Sequence, residues 1–505
     1  FAVGGLRLST RLVAESRQMP AANLDSAQAK KVLIVGAGDA GAMVVRELQK
    51  NPQLNLNAIG FLDDNPAKQK QEIHGVPVVG QLKDIAAVLN RQHIDQVVFA
   101  IPTAPGRLIR QVSEACRLTG IPFRTMPGIF ELLGGKVSIS RLREVDIADL
   151  LQREPVHTDD QLVGSVLSGK VVMVTGAGGS IGRELCRQIA RWGPSEIVLL
   201  GHGENSIFET YLELNDSFPG LVIRPVIADL RDPQRLNQVF DRMRPKVVFH
   251  TAAHKHVPLM ELNVEESVSN NVLGTRNLVE VCLAKGVGRL VMISTDKAIR
   301  PANVYGATKR LAEMIVLDAA RKTGLAYSVV RFGNVLGSRG SVVPRFKRQI
   351  AQGGPVTITH PDMQRYFMTI PEAVYLVLQS ASMGKGGETF ILNMGQQVRI
   401  LDLAEDLIRL SGLEPGKDIE ITFTGVRQGE KLSEDLWEEG HQFDPTSHPE
   451  IFRQAIHDNL NNGPLEEIVN QLVALSEKGN PEEIVRILDE AIPGSTIRST
   501  PPPEM

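Results

Sequence analysis

The chain has 505 residues, 55 basic against 58 acidic side chains and a formal net charge of -3. This length exceeds the usual single-domain range, so at least two domains are expected, and a slightly acidic chain gives no support for a nucleic-acid partner. Cys116, Cys186 and Cys282 are odd in number and far apart, which favours a reducing compartment over a disulfide framework. No cluster of metal-ligating residues is recognised in the sequence.

Residues 1–28 precede the first domain and are interpreted as a juxtamembrane segment. The stretch "FAVGGLRLSTRLVAESRQ" runs from apolar residues to arginines, as a segment that leaves a bilayer does. The chain contains no run of about 18 apolar residues, so no membrane span is predicted within it. A clipped soluble protein is the alternative interpretation.

Two segments combine an apolar strand, a glycine-rich turn and a helical pattern. They are "KKVLIVGAGDAGAMVVRELQ" and "GKVVMVTGAGGSIGRELCRQIA". Strands alternate with helix-length segments after each of them, which is typical of a parallel sheet covered on both faces. The sequence therefore predicts an α/β chain with two tandem Rossmann-like, doubly wound domains over residues 29–150 and 151–450.

The second domain loses its regular pattern after Asn334. Loops rich in Gly, Pro and Arg, such as "GSRGSVVPRF" and "GVRQGEKLSEDL", predict a small lobe that supplies substrate contacts. Residues 451–505 are expected to form two amphipathic helices, followed by a disordered tail, "PGSTIRSTPPPEM".

The glycine turn of the second domain has the spacing TGxxGxxG, through Gly176, Gly179 and Gly182. This spacing lets the backbone approach a pyrophosphate at a helix N-terminus. Gly201 stands where a ribose-binding acid is expected, and its missing carboxylate keeps NADP open beside NAD.

The glycine turn of the first domain has the more regular fingerprint, GxGxxG, with Asp63 at the end of the second strand. This domain has no matching acid and base residues. Two interpretations stay open: it binds a nucleotide without transforming it, or it binds nothing.

The stretch "STDKAIRPANVYGATKR" concentrates groups that handle protons. Tyr305 and Lys309 are four residues apart and share one face of a helix. A nearby ammonium group and the positive nicotinamide ring are expected to lower the pKa of the phenol, so that the pair can remove a hydroxyl proton while a hydride leaves the same carbon.

The order TGxxGxxG, Ser or Thr at a strand end and YxxxK resembles the extended short-chain dehydrogenase/reductase superfamily, which acts on nucleotide sugars. Five segments, "HTAAHKHVPLMELN", "NNVLGT", "STDKAIRPANVYGATKR", "VVRFGNVLGSRGSVVPRF" and "RQGEKLSEDL", resemble the membrane-associated polysaccharide-biosynthesis 4,6-dehydratases that act on UDP-N-acetylglucosamine. The resemblance covers roughly residues 30 to 450.

The resemblance implies a mechanism for the catalytic residues. Tyr305, held by Lys309 and Thr295, oxidises the C4 hydroxyl of the sugar by passing a hydride to the cofactor, and the new ketone acidifies the C5 proton. Lys297, if partly neutral, then removes the C5 proton, and Asp296, if protonated, donates a proton to the departing C6 hydroxyl. The hydride then returns at C6, so the product is a 4-keto-6-deoxy sugar for surface polysaccharide and the cofactor is unchanged. Several long members carry Met where this chain has Tyr305.

The resemblance also implies two sets of binding residues. Cofactor contacts are expected from Gly176, Gly179, Ser180, Ile181, Gly182, Asp229, Leu230, Ala252, Ala253, Lys255, Asn271, Tyr305 and Lys309. Contacts to a UDP-sugar are expected from Lys255, Asn334, Ser341, Val342, Pro344, Arg345, Thr357, Thr359, Arg365, Arg427 and Glu430. A metal pair at His254 and His256 is disfavoured because carboxylate or cysteine partners are missing.

Two alternatives remain at this stage. A nucleotide-sugar C4-epimerase would use Tyr305 and Lys309 without needing Asp296 and Lys297, and a sensor or scaffold would bind the nucleotide sugar without turnover. Long members of the family carry membrane helices before the first domain. The complete protein is therefore expected at the cytoplasmic face of the membrane, as a homo-oligomer.

Overall fold

The structure is a computed structural model that describes residues 29–126, 143–151, 160–437, 443–455 and 464–498. Within these ranges, no helix combines the length and the apolar character needed to cross a bilayer. The chain divides into two compact units. The first contains the described parts of 1–102, 108–127 and 135–145, and the second contains 103–107 and the described residues from 146 onward.

The first unit is a seven-stranded sheet with helices. Its elements are β1 (Lys30–Val35), α1 (Asp39–Lys50), β2 (Leu56–Leu62), β3 (Glu72–Ile73), β4 (Val76–Gly80), α2 (Ile85–Arg91), β5 (Gln96–Phe99), α3 (Gly106–Thr119), whose first two residues belong to the second unit, β6 (Phe123–Thr125) and β7 (Arg143–Glu144). The strand order is β3-β4-β2-β1-β5-β6-β7, and the four central strands β2, β1, β5 and β6 are parallel. The apolar run of β1 becomes fully buried from Val32 to Val35 because helices cover parallel sheets.

The second unit begins with the regular half of its fold. Its elements are α4 (Ile147–Leu150), α5 (Asp160–Leu167), β8 (Val171–Thr175), α6 (Ser180–Ala190), β9 (Glu196–Gly201), α7 (Glu204–Ser217), β10 (Ile223–Ile227), α8 (Pro233–Met243), β11 (Val247–His250), α9 (Val257–Leu262), α10 (Val264–Ser267), α11 (Gly274–Ala284), β12 (Arg289–Ile293), α12 (Val304–Thr323) and β13 (Ala326–Arg331). A π-helical segment, Val268–Leu273, joins α10 to α11.

The remainder of the second unit forms the lobe and the C-terminal part. Its elements are β14 (Asn334–Val335), α13 (Val342–Ala351), β15 (Val356–Ile358), β16 (Gln364–Met368), α14 (Ile370–Met383), β17 (Glu388–Leu392), β18 (Gln397–Arg399), α15 (Ile400–Leu410), β19 (Ile421–Phe423), β20 (Asp444–Pro445), β21 (Ile451–Ala455), α16 (Leu465–Lys478) and α17 (Pro481–Ala491).

The main sheet of the second unit has nine strands in the order β10-β9-β8-β11-β12-β13-β17-β21-β20. The strands from β10 to β17 are parallel, and β21 and β20 add antiparallel pairs at the far edge. The predicted fold class, two Rossmann-like doubly wound sheets with a small lobe on the second, is confirmed.

The C-terminal helices pack onto the core of the second unit. Ile468 and Leu472 of α16 and Leu488 of α17 belong to the same buried cluster as Met314 and other residues of α12. Helix α12 is therefore buried on all sides along most of its length.

The chain also stays packed beyond α17, within the predicted disordered tail. Ile497 is buried, and its amide donates to Asp489 Oδ1 at 2.8 Å. Disorder was thus predicted to begin too early. The last seven residues of the tail, 499–505, lie outside the described residues.

Candidate active site

The carboxyl ends of β8, β11, β12 and β13 meet at one edge of the main sheet, where α/β folds bind their ligands. A cavity of about 550 Å³ opens there. The glycine turn after β8 lines one side, and the stretch from Ser294 to Lys309 lines the other. The two motifs that the sequence analysis singled out therefore share one cavity.

The glycine turn needs glycine for two physical reasons. Gly176 has a φ of +68°, in the left-handed region that side chains disfavour. A Cβ atom on Gly182 would collide with the carbonyl oxygen of Gly176, so α6 can start this close to the turn only with glycine there. Helix α6 begins at Ser180, and its free amides and dipole favour an anion at this end.

A second cavity of about 190 Å³ continues the first around the glycine turn. Both are lined by Gly176 and Gly179, and the second extends to Gly201, Asp229, Leu230 and Ala252. Together they form an elongated groove from the end of β9 to Tyr305 and Lys309. Its shape and its anion-binding centre fit a dinucleotide. The prediction of a nicotinamide dinucleotide, NAD or NADP, as cofactor is confirmed.

Gly201, which stands where a ribose-binding carboxylate was expected, lies at the β9 end of the groove. A Cβ atom on Gly201 would lie 3.0 Å from Ile207 Cδ1, so glycine lets Ile207 pack against the strand end. Asp229 lines the groove, and the side-chain hydrogen bonds from Arg231, at 2.7 to 3.2 Å, lower the pKa of its carboxyl group.

Asn271 lies behind the groove and holds its wall in place. Its side-chain oxygen accepts the amide of His254 at 2.9 Å, and its side-chain nitrogen donates to the His254 carbonyl at 3.1 Å. Because Thr275 Oγ1 donates to the Asn271 carbonyl, Nε2 of His250 must donate to Thr275, and Nδ1 then accepts from Thr175. Burial lowers the pKa of His250 to about 3, so this link is neutral.

Tyr305 and Lys309 project from the first turns of α12. The side chain of Asn303 caps this helix by accepting the Gly306 amide at 2.8 Å. Lys309 Nζ donates to the Ile293 carbonyl at 2.8 Å, and burial lowers its pKa to about 8. Burial raises the pKa of Tyr305 to about 12, although Lys297 and Thr295 act in the opposite direction. The polypeptide alone therefore does not lower this pKa, and the lowering expected from the positive nicotinamide ring stays a prediction.

Asp296 and Lys297 form an ion pair at the end of β12. Lys297 Nζ lies 3.0 Å from Asp296 Oδ1 and 3.3 Å from Asn334 Oδ1, and Thr295 Oγ1 donates to Asp296 Oδ1 at 2.9 Å. Lys297 and Thr295 line the cavity, whereas Asp296 lies beneath them, 1% exposed, with no hydrogen bond to Oδ2 among the described residues.

The charge of Lys297 differs from the expectation of a partly neutral amine. Burial disfavours its charged form, but the carboxylates of Asp296 and Glu434 outweigh burial and raise its pKa. Lys297 is therefore an ammonium group in the polypeptide alone, and it needs a proton acceptor before it can act as a base.

Glu434 was missed by the sequence analysis, although it belongs to the "RQGEKLSEDL" segment. It is 2% exposed, and its Oε1 lies 3.6 Å from Lys297 Nζ and 4.0 Å from Arg365 Nη2. Burial raises the pKa of its carboxyl group. Its position in a loop-rich segment carried no periodic signal of burial.

A third cavity, of about 190 Å³, extends the site into the lobe. It shares Asn334, Ser341 and Val342 with the main cavity. Further lining residues that were predicted for substrate are Arg345, Thr359, Arg365 and Glu430.

Three of the predicted substrate residues do not line these cavities. They are Pro344, which is exposed, Thr357, whose carbonyl accepts from Arg345 Nη2 at 2.6 Å, and Arg427. Lys255, predicted for both ligands, does line the main cavity, and its Nζ donates to Ser338 Oγ at 3.4 Å.

The glycine turn of the first unit is a separate case. Asp63 Oδ2 accepts the Ala37 amide of that turn at 2.8 Å and lies 3.2 Å from Lys68 Nζ. The carboxylate that a ribose would need is thus engaged by the protein. Both interpretations of this unit, with and without a nucleotide, stay open.

Comparison with known proteins gives two family matches. The model described as "Polysaccharide biosynthesis protein" matches residues 172–456, more than half of the chain, and the model described as "CoA-binding domain" matches residues 2–127. The first match covers the sheet, the groove and most of the lobe.

Individual relatives agree with the first match. The capsular polysaccharide biosynthesis protein CapD of Staphylococcus aureus is 43% identical over 90% of this chain and 74% of its own length. A UDP-N-acetylglucosamine 4,6-dehydratase (inverting) of Campylobacter jejuni is 34% identical over 53% and 78%. The structure of Pen from Bacillus thuringiensis superposes with a TM-score of 0.53 at 32% identity, covering 61% of this chain and 98% of that one. The chain therefore belongs to the polysaccharide biosynthesis protein family and is an enzyme of the short-chain dehydrogenase/reductase kind.

Proposed function

We propose that the second unit is a nucleotide-sugar 4,6-dehydratase that acts on UDP-N-acetylglucosamine or a similar UDP-N-acetylhexosamine. The observation that carries this proposal is the juxtaposition of two sets of groups at one cavity, which Tyr305, Lys309 and Lys297 line and beneath which Asp296 lies. Tyr305 and Lys309 suit an oxidation at C4, and the Asp296–Lys297 ion pair suits an elimination across C5 and C6. The 34% identity to the Campylobacter dehydratase supports the same assignment.

Several residues hold the dinucleotide and start the reaction. The turn from Gly176 to Gly182 would hold the pyrophosphate, and Lys309 would lie beside the nicotinamide ribose. When bound, NAD or NADP supplies a hydride acceptor that returns the hydride later in the cycle. Tyr305 would act as the phenolate, a form that Lys297 and the positive nicotinamide ring would favour, and would take the proton of the C4 hydroxyl while a hydride leaves C4. The resulting ketone makes the C5 proton acidic.

The elimination uses the ion pair after one internal proton transfer. Lys297 passes a proton to Asp296 across their 3.0 Å contact, which gives a neutral amine and a carboxylic acid. The amine then takes the C5 proton, and the acid gives its proton to the departing C6 hydroxyl. The ion pair is thereby restored, and water is released. Because Asp296 lies beneath the cavity wall, its proton would reach the sugar through Thr295. The acid gives its proton to Thr295 Oγ1 while the Thr295 hydroxyl gives its own proton to the departing C6 hydroxyl.

The test is incubation with UDP-N-acetylglucosamine in deuterated water, followed by mass spectrometry. Dehydration predicts the loss of one water and the gain of deuterium at C5. An unchanged sugar, with either cofactor supplied, would contradict the proposal.

A C4-epimerase is the second candidate. A UDP-glucose 4-epimerase of Rickettsia rickettsii is 33% identical over 53% of this chain, and Tyr305 and Lys309 would serve that reaction equally. An epimerase does not need the buried Asp296–Lys297 pair, which is why dehydration is favoured. Product of unchanged mass with inverted C4 would identify the epimerase.

We also propose that the protein is associated with the cytoplasmic face of a membrane. We further propose that it forms a homo-oligomer. A relative that is 48% identical over 55% of this chain is described as a membrane protein of Methanocaldococcus jannaschii. Membrane fractionation of the protein from its source and sedimentation of the purified chain test these two points.

A further inference from the structure

A short segment, Ser338–Gly340, connects the lobe to the dinucleotide groove. It lies between β14 and α13 and lines the main cavity together with Gly179, Ser180 and Ile181 of the glycine turn. We refer to Ser338–Gly340 as the strap.

Two glycines, Gly337 and Gly340, give the strap its backbone conformation. Gly337, just before it, and Gly340 have φ values of +71° and +72°, both in the left-handed region. A Cβ atom on Gly340 would collide with the imidazole of His256. Glycine therefore lets the strap lie directly on the opposite wall of the groove, where Lys255 Nζ also donates to Ser338 Oγ at 3.4 Å.

Arg339 holds the strap at two points on the nucleotide side. Its backbone amide donates to Ser180 Oγ at 3.1 Å, and its Nη2 lies 2.8 Å from Glu209 Oε2 on α7. Ser180 is the first residue of α6, so this contact lies at the anion-binding end of that helix. The strap thus spans the groove where a pyrophosphate would lie, and it places a cation next to that position.

We propose that the strap retains the dinucleotide between turnovers, with the Arg339–Glu209 ion pair as its fastening. This inference rests on the proposed function, because a reaction that returns its hydride in each cycle has no need to exchange the cofactor. A strap that must detach before the dinucleotide leaves would slow the loss of the cofactor without slowing the chemistry.

The experiment measures the rate at which bound NADH leaves the protein, by the fluorescence of the nicotinamide after addition of excess NAD. An exposed ion pair contributes little, so R339A and E209A are each expected to speed release about two- to fivefold. R339E, which opposes Glu209, should speed it further, and the charge-exchanged R339E/E209R pair should return it toward the original rate.

Two further variants make the result decisive. R224E disrupts another ion pair, between the exposed Arg224 and the half-buried Glu196 on β9, and should leave the release rate unchanged. G340A, which cannot keep its backbone against His256, should release NADH faster than R339A. Release rates that are equal in all five strap variants and the original protein would overturn the proposal. The deuterium experiment on the original protein tests the dehydratase assignment separately, so the two failures are distinguishable.

Discussion

Two lysines in one cavity have opposite charge preferences because their surroundings differ. Lys309 is buried with its Nζ on a backbone carbonyl, and burial lowers its pKa to about 8. Lys297 is also buried, but two carboxylates raise its pKa. The same side chain is thus prepared for two roles: Lys309 is a cation that loses its charge above about pH 8, and Lys297 is a base that must first lose its proton.

Activity should fall as the pH rises through about 8, because Lys309 then loses the charge that supports Tyr305. The measurement is kcat/KM as a function of pH. In K309R the side chain stays charged over this range, so the decline should disappear even if the rate is lower. If kcat/KM of K309R declined over the same pH range, the titrating group would be a residue other than Lys309.

Glu434 should set the pH at which Lys297 becomes neutral. Removing its charge in E434Q removes one cause of the raised pKa of Lys297, so deuterium exchange at C5 should begin at a lower pH than in the original protein. E434D keeps the charge and should follow the original profile more closely. Identical profiles for E434Q and the original protein would show that the 3.6 Å contact has no influence on the base.

The missing carboxylate at Gly201 should govern the choice between NAD and NADP. In G201D a new carboxylate would face the 2'-phosphate of NADP, so the ratio of the Kd for NADP to that for NAD should rise about tenfold or more. G201A controls for the contact with Ile207. Calorimetry with both dinucleotides provides the measurement, and an unchanged ratio in G201D would contradict this account.

At the scale of the elements, short sequence patterns predicted those features that depend only on neighbouring residues. The strands and both glycine turns follow from apolar runs and from glycines that only a tight turn needs, and the four-residue spacing placed Tyr305 and Lys309 on one helix face. Glu434 and Arg339 act through partners more than a hundred residues away, and no short-range pattern encodes such pairs. The inward packing of α16 and α17 was missed for the same reason, since an amphipathic pattern does not say what covers the apolar face.

The packing of α12 against β13 depends on a buried ion pair. Arg331 Nε and Nη2 bind the Glu313 carboxylate at 2.8 and 2.5 Å, and Arg310 Nη1 approaches it at 3.1 Å. R331M would remove the main positive charge that balances the buried carboxylate of Glu313. The free energy of unfolding should therefore fall by about 3–5 kcal/mol. Chemical denaturation measures the change, and a double variant with E313Q should recover part of it.

At the scale of the whole molecule, the C-terminal helices contribute to the stability of the catalytic unit. Leu472 is completely buried in the cluster that contains α12. L472A should therefore lower the free energy of unfolding by about 2–5 kcal/mol. Exposed Glu466 on the same helix offers the control E466A, which should have little effect. Thermal unfolding followed by circular dichroism compares the two, and equal effects would contradict the role assigned to this helix.

The order in which the strands join the main sheet has a consequence for synthesis on the ribosome. Strand β21 pairs with β17, and α16 and α17 close the core over α12, yet all three follow residue 450 in the sequence. The first unit can fold as soon as it emerges, because its strands are contiguous in the sequence. The second unit keeps its central helix partly uncovered until β21, α16 and α17 have been synthesised, so this unit is expected to have the greater need for a chaperone.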